Sequence, residues 1–265
     1  MKEIKFVGLH AHSVAGSIFD AIGYPQDHMD FAYENGCDAL ALTDHGNMNG
    51  LAYQVLHARK MQAEGKNFKP IFGCEAYFIP SLDEWHEEYA KAMEDKKRAR
   101  GIKADKASGA TVEDEGASKK TQDVLRRRRH LVLLAMNQEG LNNLFKLISE
   151  SYKAENFYRY PRVDYALLEK YGEGIIAASA CLGGVYAGNF WENREEGDEA
   201  VLAAMRDTSK RMVDIFGDRW YAELQWNNIK EQHQLNQYII QTAKEFGIGL
   251  ISTADSHYPS PDAWK

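Results

Sequence analysis

Phe6 to Ser13 reads FVGLHAHS, an apolar run that ends in two histidines one residue apart. Side chains at i and i+2 on a strand share a face, so His10 and His12 would converge on one point. Two converging imidazoles suit a shared metal, whereas an isolated HxH is also met as two half-buried histidines with satisfied ring nitrogens. The rest of the chain decides between these readings by repeating the theme. Asp44 and His45 follow DALALT, Glu75 lies within PIFGCEAY, His130 immediately precedes LVLLAM, Cys181 follows GIIAASA, and Asp255 and His257 follow GIGLIST. Five of the nine histidines thus sit at the ends of apolar runs. His28, His57, His86 and His233 fall on predicted helices or in a charged segment and receive no role.

Imidazole, carboxylate and thiolate suit zinc, manganese and iron, and a carboxylate such as Glu75 can bridge two ions. So many ligands exceed the needs of one ion. Ions about 3.5–4 Å apart are a standard device for phosphoester hydrolysis, making hydroxide at neutral pH and stabilising the attacking and leaving oxygens. A metal cluster with bound hydroxide acting on phosphoesters is the chemistry these residues point to. A mononuclear amidohydrolase-like or deaminase-like site also uses an early HxH and stays open on the residues alone. Asp44 reads either as a carboxylate that orients a ligand histidine or water, or as a cap of its own loop.

Ligands gathered in this way need elements to position them. Seven apolar runs (IKFVGL, DALALT, KPIFGCEAYFI, LVLLAM, GIIAASA, WYAELQ and GIGLIST) alternate with helical spacing over 24–35, 141–153, 200–216 and 231–246. That alternation predicts βα units and a parallel sheet, closed as a barrel or left open, with the ligands on the face built by the βα loops. Residues 81–129 break the rhythm with a charged, Ala/Lys-rich stretch poor in large apolar residues, and ASGATVEDEGAS reads as a flexible loop between two helical or mobile arms. This segment is expected to be an insertion in a single domain spanning 1–265. Its closing run, Arg126, Arg127, Arg128 and Arg129, is either a solvated basic patch or a contact for a phosphate backbone.

Composition limits the alternatives. With 265 residues, 44% hydrophobic and 27% charged, the chain can bury a sizeable core. Cys37, Cys74 and Cys181 show no CxxC spacing, so neither a disulfide framework nor a zinc knuckle is indicated. The opening is too short and polar for a signal peptide, and no segment has the apolar length of a membrane span, so a cytoplasmic protein with no membrane partner is expected. A net charge of -7 excludes a general nucleic-acid coat.

HAHS, ALTDHGN, FGCEAY, the histidine of RRRRHLVLLAMNQEGLNNL, the cysteine of GEGIIAASACLGG, and STADSHY together resemble the ordered motifs of the PHP (polymerase and histidinol phosphatase) family. Within it they are most similar to the N-terminal PHP domain of bacterial replicative DNA polymerase III α subunits. The resemblance implies a distorted seven-stranded β/α barrel of TIM-like form holding three divalent ions (Zn, Mn or Fe). It implies one ion on His10, His12, Glu75 and Asp255, a second on Glu75, His130 and Cys181, and a third on Asp20, His45 and His257. It also implies 3′→5′ exonuclease action on DNA 3′ ends, a proofreading hydrolase activity, with the remainder of a polymerase α subunit as partner. No region remains here for the palm, fingers and thumb of a polymerase. The other readings are a small-molecule phosphomonoesterase of the histidinol-phosphatase type and a metal-stabilised scaffold. The stretch from His12 to Asp20 is one residue longer than the usual polymerase spacing, which sets a surface aspartate against a ligand at Asp20.

Overall fold

In the computed structural model, which describes residues 6–107 and 119–263 with side chains outside 99–122, six of the seven apolar runs become strands and a short hairpin adds two more. These are β1 (Ala39–Leu42), β2 (Lys69–Phe78), β3 (Arg129–Ala135), β4 (Phe157–Tyr158), β5 (Tyr160–Val163), β6 (Ile175–Ala178), β7 (Trp220–Gln225) and β8 (Gly249–Thr253). Between them run α1 (Pro25–Glu34), α2 (Leu51–Ala63), α3 (Leu82–Ala107), α4 (Lys119–Arg126), α5 (Gln138–Ser151), α6 (Tyr165–Tyr171), α7 (Val185–Asn193), α8 (Asp198–Phe216) and α9 (Lys230–Phe246). The four expected helices correspond to α1, α5, α8 and α9. α5 begins earlier than its apolar spacing implies, because the Asn137 side chain accepts from the Gly140 N–H and caps the helix.

The sheet curls. β1 pairs parallel with β2, and β6, β7 and β8 pair parallel in sequence. The first apolar run forms isolated bridges, Gly8 with Leu40 and Ala11 with Ser256. Its backbone accepts from Ala41 N and Thr43 N on one side, and His12 N donates to Ser256 O on the other. This segment therefore joins β1 to the end of β8 and closes a seven-stranded ring with β1, β2, β3, β6, β7 and β8, the distorted barrel expected from the family motifs.

The expectation of a wholly parallel sheet needs correction. β3 is antiparallel to both β2 and β6. α3 and α4 form a helical detour that brings the chain back at the end where β2 finished, so β3 must run the other way. A further departure is the β4–β5 hairpin, which lies outside the ring and adds to β2 at Tyr77 and Phe78. It escapes the apolar pattern because it is short and carries Arg159, Pro161 and Arg162.

Strand parity divides the core into two layers. Leu131, Leu133, Trp220, Ala222 and Leu224 point outward and pack with Leu144, Leu168, Met205 and Ile239 of the surrounding helices. Val132, Leu134 and Ala178 point inward with Ile71, Ile176, Tyr221 and Ile251 and fill the barrel. Among the described residues no helix is long and apolar enough to cross a membrane.

The 81–129 segment is helical on both arms, while the expected loop at 107–118 lies, beyond Ala107 at the end of α3, outside the described residues. Its base is not a solvated appendage. Leu82 and Trp85 pack with Ile79, and Ala92 packs with Val124 and Leu125. The Trp85 indole donates to Val124 O, and the guanidinium of buried Arg162 lies over the Trp85 ring while donating to Leu125 O and Arg127 O. Trp85→Ala should therefore lower the free energy of unfolding by about 3–5 kcal/mol, as for other buried aromatics. A urea titration showing a loss under about 0.5 kcal/mol would mean that the segment is peripheral after all.

Candidate metal centre

Glu75 lies near the middle of β2 with its side chain wholly buried, pointing into the ring. Three histidines meet its carboxylate. His10 Nε2 is 3.2 Å away, His45 Nδ1 2.7 Å and His130 Nδ1 3.0 Å. His12 Nε2 is 3.6 Å from it and 3.0 Å from Asp255 Oδ1, which His10 Nε2 also approaches at 3.2 Å. Cys181 Sγ lies 3.7 Å from His130 Nδ1 and 4.0 Å from Glu75 Oε1. His257 packs its ring 4.4 Å from that of His12, and Asp20 touches His45 Nε2 at 3.2 Å. All of the expected ligands thus join one web. Three groupings have ligand atoms close enough to share an ion: His10 with His12 and Glu75, His45 with Glu75 and His130, and His12 with His45 and His257. Asp20, Cys181 and Asp255 fall outside these groupings, Asp20 with its side chain half exposed.

The hydrogen bonds around the web determine which ring nitrogens carry protons. Glu223 Oε1 accepts from the Thr253 hydroxyl and from Gln225 Nε2 at 3.0 Å, and it lies 2.6 Å from His10 Nδ1. A carboxylate has only acceptors, so His10 donates from Nδ1 and turns the Nε2 lone pair toward Glu75 and Asp255. Ser17 spends its hydroxyl proton on Asp44 Oδ1 and therefore accepts from His12 Nδ1, at 3.3 Å. His12 likewise turns Nε2 toward the two carboxylates. His257 donates from Nδ1 to Asp255 O at 2.9 Å. Lone pairs of imidazole and carboxylate then face each other, and His10 Nε2, His45 Nδ1 and Glu75 Oε2 are buried without a hydrogen-bond partner among the described residues. Acceptor facing acceptor repels unless a cation lies between them, so the donor set fits divalent ions held by nitrogen, oxygen and sulfur.

Without metal, protons take that place. Burial alone would favour neutral His10, but the charges of Glu223 and Glu75 outweigh it and hold the imidazole protonated well above its ordinary range. Burial brings His12 down to about 4, with the Asp255 contact opposing the shift. Burial would also raise Glu75 and Asp255, yet His130 and His10 hold the first well below the carboxylate range, while His12 and then His10 bring the second to about 2. Burial, then Glu75 and Asp255, push the Cys181 thiol well up. A thiol in such a place ionises only beside a strong positive charge.

Among the described residues Asp44 forms no hydrogen bond through its carboxylate with a candidate ligand, although its backbone carbonyl accepts from Glu75 N. Its carboxylate caps Ser13 N at 2.6 Å and the Ser13 hydroxyl at 2.9 Å, so it is a loop cap, and through Ser17 it also fixes His12 and accompanies His45, whose N–H donates to Ser17 Oγ. Sequence reasoning missed Ser17 and Glu223. The signal for Glu223 was an acidic residue inside the apolar run WYAELQ, where only a paired carboxylate is tolerated. The histidines given no role lie away from the web: His28 donates to Ile22 O, His57 pairs with Asp30 and His86 with Asn156, while His233 lies on α9. Arg127 pairs with Glu88 and Arg129 with Glu192, Arg126 is exposed, and Arg128 stacks on Tyr160.

The model of the PHP domain matches residues 8–227. DNA polymerase III subunit alpha of Aquifex aeolicus is 38% identical over 257 residues, covering 97% of this chain and 18% of that protein. The proteins of the same name from Thermus aquaticus and Deinococcus radiodurans are 33% and 32% identical, over 97% and 96% of this chain and 17% and 16% of theirs. The chain thus spans less than a fifth of these relatives. Among solved structures, histidinol phosphate phosphatase from Lactococcus lactis, in complex with zinc, L-histidinol and phosphate, aligns with a TM-score of 0.40 at 15% identity, over 97% of this chain and 88% of that one.

Because His10 and Cys181 hold protons above their ordinary ranges and must lose them to bind a cation, apparent metal affinity should rise with pH through neutrality, by about tenfold per unit for each proton displaced. Competition against a coloured chelator across pH measures this, and a flat profile would mean that neither group ligates. Glu223→Gln, which keeps the shape but removes the charge behind His10, should weaken metal binding about 10–100-fold with the far-ultraviolet circular dichroism preserved. Wild-type affinity in that variant would leave Glu223 a core residue only.

Proposed function

The chain belongs to the PHP domain family, and from that membership we propose that it is a metal-dependent phosphodiesterase that removes nucleotides from DNA 3′ ends as the PHP domain of a replicative polymerase α subunit. The reading takes residues 1–265 as one such domain, with 81–129 inserted in it. The observation that carries it is the convergence of imidazole and carboxylate groups on space where, among the described residues, His10 Nε2, His45 Nδ1 and Glu75 Oε2 make no hydrogen bond.

His10, His12, Glu75 and Asp255 would hold one ion, Glu75, His130 and Cys181 a second, and His45 and His257 with Asp20 a third. Bound divalent ions would supply Lewis-acid charge and a water acidified to neutral pH. The chain's own residues do the rest. Glu223, Ser17 and the Asp255 carbonyl hold the rings of His10, His12 and His257 in the tautomers that leave ligand nitrogens inward. Glu75, wholly desolvated, keeps its charge for whichever cations lie beside it. Asp20 and His257, the more exposed members, form the edge at which a phosphoester would enter. The similarity to polymerase α subunits along nearly the whole chain supports DNA as substrate and the rest of such a subunit as partner.

A 5′-labelled primer with a 3′ mismatch, incubated with the chain after chelation and readdition of Mn²⁺ or Zn²⁺, should shorten stepwise from its 3′ end. His12→Ala should abolish this, by at least about a hundredfold, since a lost ligand disables the cluster. Phosphate release from histidinol phosphate without primer shortening would assign the chain to small phosphomonoesters. A folded, metal-loaded chain inert on both would be a scaffold.

A further inference from the structure

Among the four consecutive arginines, the structure separates one from the rest. Arg127 and Arg129 are neutralised by Glu88 and Glu192, and Arg126 stands exposed. Arg128 has no carboxylate partner among the described residues. Its guanidinium carbon lies 3.9 Å from the centroid of Tyr160 and 5.5 Å from that of Tyr77, and the two tyrosine rings meet edge to face at 5.0 Å. Nη1 donates to Arg126 O, whereas Nε is buried without a hydrogen-bond partner among the described residues. Arg162 makes the telling contrast, since it too lies over an aromatic ring but donates to the carbonyls of Leu125, Arg127, Tyr158 and Tyr160.

The platform beneath Arg128 is continuous with the metal centre. Tyr77 pairs across the ladder with His130, and its ring packs 5.5 Å from that of His130 and 6.0 Å from that of His45. One aromatic ring therefore separates the guanidinium from two candidate ligands. Gly46, next to His45, is left-handed at φ 67°, and a β-carbon there would lie 2.8 Å from Pro161 and 3.2 Å from the Tyr77 ring. The loop that carries His45 is thus seated directly on the platform and cannot slide over it.

A guanidinium stacked by one face on an aromatic ring keeps its N–H groups in the plane that grips phosphate, and with Nε buried it is the Nη1 and Nη2 groups that a phosphate would meet. We propose that Arg128, supported by Tyr160 and Tyr77, binds the phosphate of the nucleotide adjacent to the hydrolysed bond, so that the site selects phosphodiesters of a nucleic-acid strand over small phosphoesters. The inference rests on the phosphoesterase reading above and adds a subsite to it. A small ester has no second phosphate and gains nothing from this group.

The test compares Arg128→Gln and Arg128→Lys with the wild-type 265-residue chain, each loaded with Mn²⁺, on a labelled single-stranded oligonucleotide and on bis(p-nitrophenyl) phosphate. For Arg128→Gln the loss in kcat/KM on the oligonucleotide should exceed that on the small ester by at least about tenfold, chiefly through KM, and the salt dependence of oligonucleotide binding should flatten by about one phosphate contact. Arg128→Lys, which keeps the charge but not the fork, should fall between. Equal losses on both substrates would overturn the proposal, since they would mean that Arg128 only props the metal ligands. If the wild type hydrolyses neither substrate, the phosphoesterase reading fails by itself, and oligonucleotide binding by fluorescence anisotropy decides for Arg128. Weaker binding in the variants supports the subsite, and binding that is absent or unchanged overturns it.

Discussion

Everything at the mouth of the barrel depends on one buried charge. Glu75 has no exposed surface, and an ionised carboxylate taken out of water costs several kcal/mol unless its oxygens meet positive or donating partners. Those partners come from elements far apart in sequence: His10 from the first segment, His45 from the loop after β1, and His130 from the start of β3. His45 and His130 come from segments that pair with β2 itself, whereas His10 arrives only when the first segment docks between β1 and the end of β8. The burial that makes the carboxylate expensive therefore also makes the site dependent on the whole fold, because an incomplete barrel would leave an uncompensated charge inside it.

Chain direction is the second element of the design. The interior toward the far end of the barrel is apolar, with Ile71, Leu134, Ile176 and Ile251, while the near end carries the titratable groups. On a parallel strand a residue just before the apolar run would sit at the apolar end. His130 is such a residue, and it reaches Glu75 only because β3 is reversed, which sets His130 opposite Tyr77 and Val132 opposite Glu75. The α3–α4 detour makes that reversal possible. The packing of Trp85 and Leu125 onto Arg162 therefore fixes the start of β3 and does more than fill space.

The parts of this arrangement that sequence reveals are those governed by short-range periodicity. His10 and His12 were legible because a two-residue spacing on a strand has one geometric meaning, and His45, Cys181, Asp255 and His257 because each follows an apolar run. The reversal of β3 was not legible, since LVLLAM looks the same in either direction and only the detour before it sets the sense. The β4–β5 hairpin was hidden by Pro161 and its two arginines, and the first apolar run forms bridges where a full strand was expected. Ser17 and Glu223 stayed hidden for another reason. Each works through a contact with a residue distant in sequence, Ser17 on His45 and Glu223 on His10, so even the acidic residue inside WYAELQ did not name its partner.

Backbone strain shows how local ligand direction and global closure are linked. Among the described residues only Arg159, Ala180 and Asp255 adopt positive φ without being glycine, and two of the three belong to the site. Such conformations cost about 1–3 kcal/mol each and persist only where the surroundings over-determine them. Ala180 turns the chain so that Cys181 points at His130, and Gly184 N secures that turn on Cys181 O. Asp255 is held more firmly still. Its neighbour Ser256 donates to His10 O and accepts from His12 N, and His257 O accepts from Ile22 N. Relaxing Asp255 into an ordinary conformation would rotate Ser256 and break the bonds that join the first segment to β8. The strained carboxylate and the closed ring are maintained by the same hydrogen bonds, so the barrel cannot give up one without opening the other.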